Sequence, residues 1–376
     1  MIVGLVLLLF SPIAVSAADL ITGVNITLSE RLSVAQQNAM LIDMKAAGVR
    51  VVRANIEDSE KGIQFALTAQ TLGIRIDWIV WIGGYFPGAP MRPYRPDQFP
   101  DMWAGYPLSY ADPENFRTYV SSMLSRLEAA GVTLAAFELG NEINWAAFNP
   151  DFPLPGEGRQ FGIDDLHHDP EARQIAVGYI KYVKLLQVLK QVRDRSKLNR
   201  TTPILTAGMA NFERPDGPLG PGKREDLVSI DATFDFLRAY GMDELVDAYA
   251  VHVYPWSDQP GDPIADRRRS DRLAKYALAQ CRPAGSSDGK PCWITEWGFA
   301  NNDMKCPTDD TDQAVLVRKM MSEFRRYADS GRLVGVFYYT WATNAWDQRL
   351  QKTDPLSVYR CGGLTESGRL AIVPPP

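Results

Sequence analysis

The sequence predicts an α/β fold, a single (β/α)8 TIM barrel with elongated strand-to-helix loops. Three observations lead there. Short apolar runs alternate with longer stretches of helical spacing along the chain. Joints from helix to strand are mostly short, at Gly48, Gly73 and Gly131, whereas joints from strand to helix are long, most of all 83–111 and 144–169. Two glutamates, Glu142 and Glu296, fall where apolar runs give out, the position at which such barrels place chemical groups. With 376 residues, 45% of them hydrophobic, the chain can bury one large core, and α/β barrels reach this length as one domain.

The units follow in order. Residues 21–26 form a short apolar run, and 33–47 carry apolar residues at helical spacing before stopping at Gly48. Residues 49–56 read as a strand with Arg53 inside it, followed by a helix over 59–72 closed by Gly73; 74–82 is the third strand. Further strands are predicted at 132–140, 203–210, 246–254, 293–297 and 333–341. Helices separate them at 113–130, 171–197, 231–241, 265–280 and 312–330, and 364–371 remains as a closing helix. Parallel strands need crossovers of this kind, and eight in a row imply a closed ring.

Residues 1–17 read as a secretory signal peptide: an apolar run over 2–10, a Ser-Pro break, then the small residues Val15-Ser16-Ala17. The barrel domain is expected over 18–376 of a secreted or periplasmic protein. No later stretch is long and apolar enough to span a bilayer, so no stable membrane insertion is expected after cleavage. The net charge of −5 argues against nucleic acid as a partner. So does the lack of basic clusters beyond Arg267-Arg268-Arg269, which read as a solvated helix start.

The four cysteines all lie in the last third of the chain. An even count behind a signal peptide suggests disulfides; zinc is the other use, but the spacings include no C-x2-C pair. Cys281 and Cys292 both precede the seventh strand, at the bottom of the barrel, while Cys306 and Cys361 follow the seventh and eighth strands at the top. Bridged Cα atoms lie about 4.4 to 6.8 Å apart, so the expected pairs are Cys281 with Cys292 and Cys306 with Cys361.

Two strand-to-helix joints are longest, residues 83–111 and 144–169. The first holds Tyr85, Phe86, Tyr94, Phe99, Trp103, Tyr106 and Tyr110 among six prolines. Such rings either stack on the apolar faces of pyranose sugars or pack the loop against itself. In the second, His167-His168 with Asp164, Asp165 and Asp169 is either a metal cluster or a solvated polar loop.

Glu142 follows Asn141 at the end of the fourth predicted strand, and Glu296 stands between Thr295 and Trp297 at the end of the seventh. Two carboxyls on different strands are what retaining or inverting glycoside hydrolysis needs, one as acid and the other as nucleophile or base; neither a cofactor nor a metal is called for. Environment must then separate their pKa values. An Arg beside Glu296 and a hydroxyl from Tyr254 would hold it ionised, while Glu142, near Trp145, could keep a raised pKa. Arg53 has an alternative use, to satisfy Glu138 or Asp77 within the barrel, and His252 could be a hydrogen-bonded core histidine. Glu138 shares a strand face with Glu142 by alternation and reads as structural.

On these residues the chain resembles a clan A glycoside hydrolase, the superfamily of retaining (β/α)8 enzymes that includes the cellulase-like family 5 and the xylosidase-like family 39. In that clan the acid/base Glu follows Asn at the end of strand four, as in Asn141-Glu142, and the nucleophile Glu ends strand seven, as Glu296 does. The resemblance implies that Arg53 pairs with the nucleophile and that His252 and Tyr254 border the site from strand six. It further implies that Trp341 forms the floor under the reacting sugar. Trp81 and Trp145, beside the same strand ends, count with the substrate-binding residues. Glu138, four residues before the acid, is closer to family 39. Family 5 has Pro where Ile143 stands, and a strand-three His where this chain has Trp78, Trp81 and glycines. The expected activity is retaining hydrolysis of β-glycosidic bonds in an oligo- or polysaccharide, endo-acting if the aromatic loops hold a chain. A transglycosylase would use the same residues; a non-catalytic carbohydrate-binding barrel would not need both carboxyls.

Overall fold

In the computed structural model, eight parallel strands form the centre of the molecule. They are β1 (Ile21–Asn25), β2 (Val51–Asn55), β3 (Arg75–Val80), β4 (Ala136–Leu139), β5 (Ile204–Leu205), β6 (Tyr249–Val253), β7 (Cys292–Trp297) and β8 (Leu333–Tyr338). Their order in the sheet is β5-β4-β3-β2-β1-β8-β7-β6. Bridges from Leu205 to Ala248 and from Met209 to Val251 bring β5 against β6, so the ring is nearly closed. The described residues are 20–82, 88–95, 102–154, 156–211, 226–255, 259–303, 305–342 and 354–373. The signal segment expected at 1–17 lies outside them, as do Tyr85, Phe86 and Phe99.

A helix packs after each strand: α1 (Val34–Ala46), α2 (Glu60–Thr71), α3 (Pro113–Ala129), α4 (Arg173–Asp194), α5 (Ile230–Ala239), α6 (Pro263–Arg272), α7 (Thr311–Asp329) and α8 (Glu366–Ile372); a further short helix, Ile163–His168, lies in the loop between β4 and α4. The short bottom joints share one device. Gly48, Gly73 and Gly131 take left-handed φ angles of 87°, 75° and 77°, and the residue after each donates its N–H five residues back, from Val49 to Met44, Ile74 to Ala69 and Val132 to Leu127. This glycine-terminated cap satisfies the last helical carbonyls and turns the chain at once into the next strand.

Inside the ring, the lower half is an apolar plug. Trp293 and Phe337 stack at 5.7 Å, with Ala136, Leu205, Ala248 and Ala250 around them. Glycine makes the room: a Cβ on Gly23 would lie 2.5 Å from the Phe337 ring, and one on Gly335 would lie 3.0 Å from Trp293. Above this plug the inward positions turn polar, and the site lies there.

The two disulfides pair Cys281 with Cys292 and Cys306 with Cys361, at Cα separations of 5.5 and 5.7 Å. The basic run expected at a solvated helix start lies within α6, and only Arg267 and Arg268 are exposed. Arg269 is turned inward, 4% exposed, and donates to Asp266 at 2.7 Å, because a helix cannot present three consecutive residues on one face. No helix among the described residues is long and apolar enough to cross a membrane.

Candidate active site

Arg53 is the centre of the polar layer. It points inward from β2 and is 2% exposed, so its charge requires partners. It finds several. Nε and Nη2 donate to the two oxygens of Glu138 at 2.7 Å each, and Nη1 donates to Glu296 Oε1 at 2.6 Å and to Asn25 Oδ1 at 2.9 Å. Nη2 also reaches Asn141 Oδ1 at 2.8 Å. The two uses of Arg53 open in the sequence are therefore realised together: it satisfies Glu138 and it grips Glu296.

Glu296 reaches this position through a bulge. Val251 on β6 pairs with Ile294, but His252 pairs with Glu296, so Thr295 is an extra residue on β7. Thr295 and Glu296 then both face the interior, Thr295 Oγ1 donating to Glu138 Oε1 at 3.3 Å. Tyr254, just past β6, donates its hydroxyl to Glu296 Oε2 at 2.5 Å. Trp297 is turned outward into the core between Phe324 and Tyr338.

Glu142 arrives differently. β4 stops at Leu139, and the chain turns through Gly140 (φ 84°), where a Cβ would lie 2.6 Å from Ile82 Cδ1. Glu142 itself has φ 44°, a left-handed conformation that costs a non-glycine residue about 1–2 kcal/mol. Its N–H is held by the Gly208 carbonyl at 2.8 Å and its own carbonyl by the Trp145 N–H at 3.0 Å. Glu138 and Glu142 thus converge through a turn, not through strand alternation. Nδ1 of His252 lies 2.7 Å from Glu142 Oε1, and Nε2 lies 3.6 Å from Glu296 Oε1. The ring packs over Gly208, where any Cβ would overlap it.

One oxygen of each carboxyl and a His252 ring nitrogen all fall within 4.8 Å of one another. Burial pushes the pKa of Glu142 up, and its main opposing partner is His252, with Glu296 adding to the rise. Burial also pushes Glu296 up, but there the Arg53 guanidinium and the Tyr254 hydroxyl act against it. Burial lowers His252, so its ring is neutral at neutral pH. The three groups could reach one cation, but Arg53 already places a positive charge on Glu296.

A cleft of about 510 Å³ opens above these groups. Trp81, Tyr94, Trp103 and Phe148 line it from the third and fourth strand-to-helix loops, and Leu28 and Arg31 from the first. Tyr94 stacks on Trp103 at 5.6 Å. Arg92 donates to the carbonyls of Ala146 and Ala147 at 2.7 Å each, joining the two loops. The aromatic residues therefore both pack together and line the cleft.

Two expectations fail. Trp341 is 2% exposed and stacks on Tyr359 at 4.7 Å, so it belongs to the core. β8 ends at Tyr338, beyond which alternation no longer sets direction, and Tyr339 lines the cleft instead. Trp145 is half-buried against Phe148 and does not line the cleft; the carboxyl of Glu142 has His252 as its neighbour. In the second long loop, Arg159 gathers Asp165, Asp169 and Glu171 into ion pairs, and His167 packs on Phe236, an arrangement that uses the acidic groups without a metal. Residues missed by sequence reasoning include Asn25, Asn55 and Tyr339. Asn55 could have been found, because it lies two positions from Arg53 and so shares its face.

The architecture defines a class, a (β/α)8 barrel with a buried pair of carboxyls under an aromatic-walled cleft. No family model matches the chain, and no curated protein matches it. Solved structures of similar fold include glycoside hydrolases. A fungal β-1,4-galactanase aligns at a TM-score of 0.51 with 15% identity, covering 93% of each chain. An endo-1,4-β-mannanase from Rhizomucor miehei aligns at 0.50 with 13% identity, covering 85% of this chain and 86% of that one. An endo-laminarinase from Formosa aligns at 0.50 with 15% identity, covering 91% and 82%.

Proposed function

We propose that the protein is a retaining β-glycoside hydrolase acting on a polysaccharide, with Glu296 as nucleophile and Glu142 as acid/base. The observation that carries this reading is the close approach of two buried carboxyls with unlike partners at the floor of one cleft. Retaining enzymes hold their carboxyls about 5 to 5.5 Å apart, too close for a water to fit between nucleophile and sugar as inversion requires. Glu296, gripped by Arg53 and Tyr254, attacks the anomeric carbon while Glu142 protonates the departing glycosidic oxygen. Glu142, now ionised, takes a proton from water as that water attacks the glycosyl ester and restores Glu296. Asn141, its Oδ1 held by Arg53, offers Nδ2 to the sugar 2-hydroxyl. Trp81 and Tyr339 present ring surface to the chain.

The two disulfides suit an oxidising compartment, and we place the protein outside the cytoplasm with the barrel spanning residues 18–376. Galactan, mannan and laminarin are the first polymers to test. The products should be sized and the anomeric configuration of the new reducing end followed by NMR as it forms. Retention with a spread of oligomers is expected. Inversion would overturn the mechanism, and binding without cleavage would assign the barrel to a carbohydrate-binding role.

A further inference from the structure

Behind the Arg53 clamp lies a second acid that the mechanism does not use. Asp77 stands on β3, opposite Arg53 of β2 in the strand register, and is fully buried. Among the described residues, neither of its oxygens has an N–H or O–H donor. Asp77 pairs in register with Ala136 of β4, two residues before Glu138, so the two carboxyls share the inner face, and Glu138 is the acid whose charge bears on Asp77. Glu138 is itself fully buried and accepts from Arg53 twice, from the Gly208 N–H at 2.9 Å and from Thr295 Oγ1.

The charges facing this point are those of Arg53, Glu138 and Glu296, with the neutral ring of His252 beyond. If Asp77 were ionised, one guanidinium would face three buried carboxylates, one of them with no hydrogen bond at all. A bare buried carboxylate is among the least tolerable groups in a protein, and in practice it takes up a proton. Two neighbouring carboxyls relieve their repulsion by sharing that proton, and Glu138, which already accepts from Arg53, Gly208 and Thr295, is the one arranged as acceptor.

We infer that Asp77 is a neutral carboxylic acid in the folded protein and donates its proton to Glu138, and that this buried donor positions the Glu138–Arg53 clamp on Glu296. Burial, followed by the charge of Glu138, pushes Asp77 well above the usual carboxyl range, with Arg53 opposing. Asp77 is a positioning residue. It touches neither sugar nor the reacting atoms, and it acts through two intermediaries.

The state of Asp77 can be read without any activity. Burial pushes the Asp151 carboxyl up to about 6, so in the full chain labelled with ¹³C at aspartate carboxyls, NMR well above that pH should retain one protonated aspartate signal, that of Asp77. Asp77→Asn should abolish it. A spectrum in which every aspartate is ionised at that pH overturns the inference, whichever variants fold. The positioning role rests on the reading of Glu296 as nucleophile and is tested on a glycan that the wild type cleaves. Asp77→Leu, which lacks a donor, should lower kcat about tenfold with little change in KM, the effect of about 1.4 kcal/mol for one buried hydrogen bond. Asp77→Asn, which keeps a neutral donor, should recover most of that loss and leave the acidic limb of kcat/KM in place. An acidic limb moved to lower pH in Asp77→Asn would show that a negative charge had been removed, and equal losses in both variants would show that donation is irrelevant; either overturns the role. A wild type inactive on every glycan, with the protonated signal present, would refute the hydrolase reading and leave the acid pair standing.

Discussion

The ends of β4 and β7 both deliver a glutamate to the same cleft, and they do so by opposite means. β7 stays a strand and inserts one residue, so Glu296 is fixed by sheet hydrogen bonds below it and by Arg53 and Tyr254 above. β4 stops short, and Glu142 is held in a left-handed turn by two backbone hydrogen bonds and a histidine. A nucleophile benefits from a charged partner that keeps it ionised, whereas a proton donor benefits from burial without one. Under the proposed mechanism, the two local structures would divide the labour between two identical side chains.

The hardest test of that division removes each carboxyl in turn. Glu296→Ala should show no measurable glycoside cleavage, and with azide and an activated glycoside it should give a glycosyl azide of inverted configuration, because the anion attacks where the nucleophile stood. Glu142→Ala should lose about 10²- to 10⁴-fold on substrates with poor leaving groups but still form the covalent intermediate from an activated aryl glycoside. Azide should then release a product of retained configuration. Exchanged outcomes would exchange the roles of the two strand ends.

A smaller effect is expected from Tyr254→Phe, which deletes one hydrogen bond to Glu296 while preserving the ring. A bond to a charged group is worth about 1.5–3 kcal/mol, so kcat/KM should fall roughly 10- to 100-fold, on every substrate alike. A loss confined to poor leaving groups would place Tyr254 with Glu142.

The smallest effect is a shift in pH dependence. The hydrogen bond from His252 holds the pKa of Glu142 down against burial. His252→Phe should therefore raise that pKa further and move the alkaline limb of the rate profile to higher pH, since the acid stays protonated longer. Movement of the alkaline limb to lower pH would mean that the ring stabilises the protonated acid instead. A stability effect accompanies it. A carboxyl whose folded pKa lies above its unfolded value contributes stability at low pH that is lost as pH rises through the folded value, so the acid-side stability of the variant should extend to higher pH.

Much of this was legible before any coordinates. Eight strands, their helices and the glycine closures follow from apolar periodicity and from residues such as Gly48 and Gly73, because those signals are local. Glu142, Glu296, Arg53, His252 and Tyr254 were legible because each lies within or just beyond a recognisable strand. What was hidden depends on departures from regular strand geometry. Trp341 was expected in the cleft and Tyr339 was passed over, because β8 ends one residue before Tyr339. The shared face of Glu138 and Glu142 was attributed to alternation, although Glu142 reaches it through a left-handed turn. Asn25 lies within the first predicted strand, and nothing in its neighbours shows that Arg53 will need its side chain.

Thr295 gives the architecture an unusual sensitivity to chain length. Trp293 faces the interior and Ile294 the surrounding core, so without Thr295 regular alternation would still turn Glu296 inward and Trp297 outward. The deletion would instead draw the carboxyl down to the level Thr295 now holds, one residue nearer the apolar plug and out of register with its partner His252 on β6. For anyone transplanting this site onto another barrel, the portable unit is therefore the spacing Ile294-Thr295-Glu296-Trp297, with its extra residue, more than the glutamate itself.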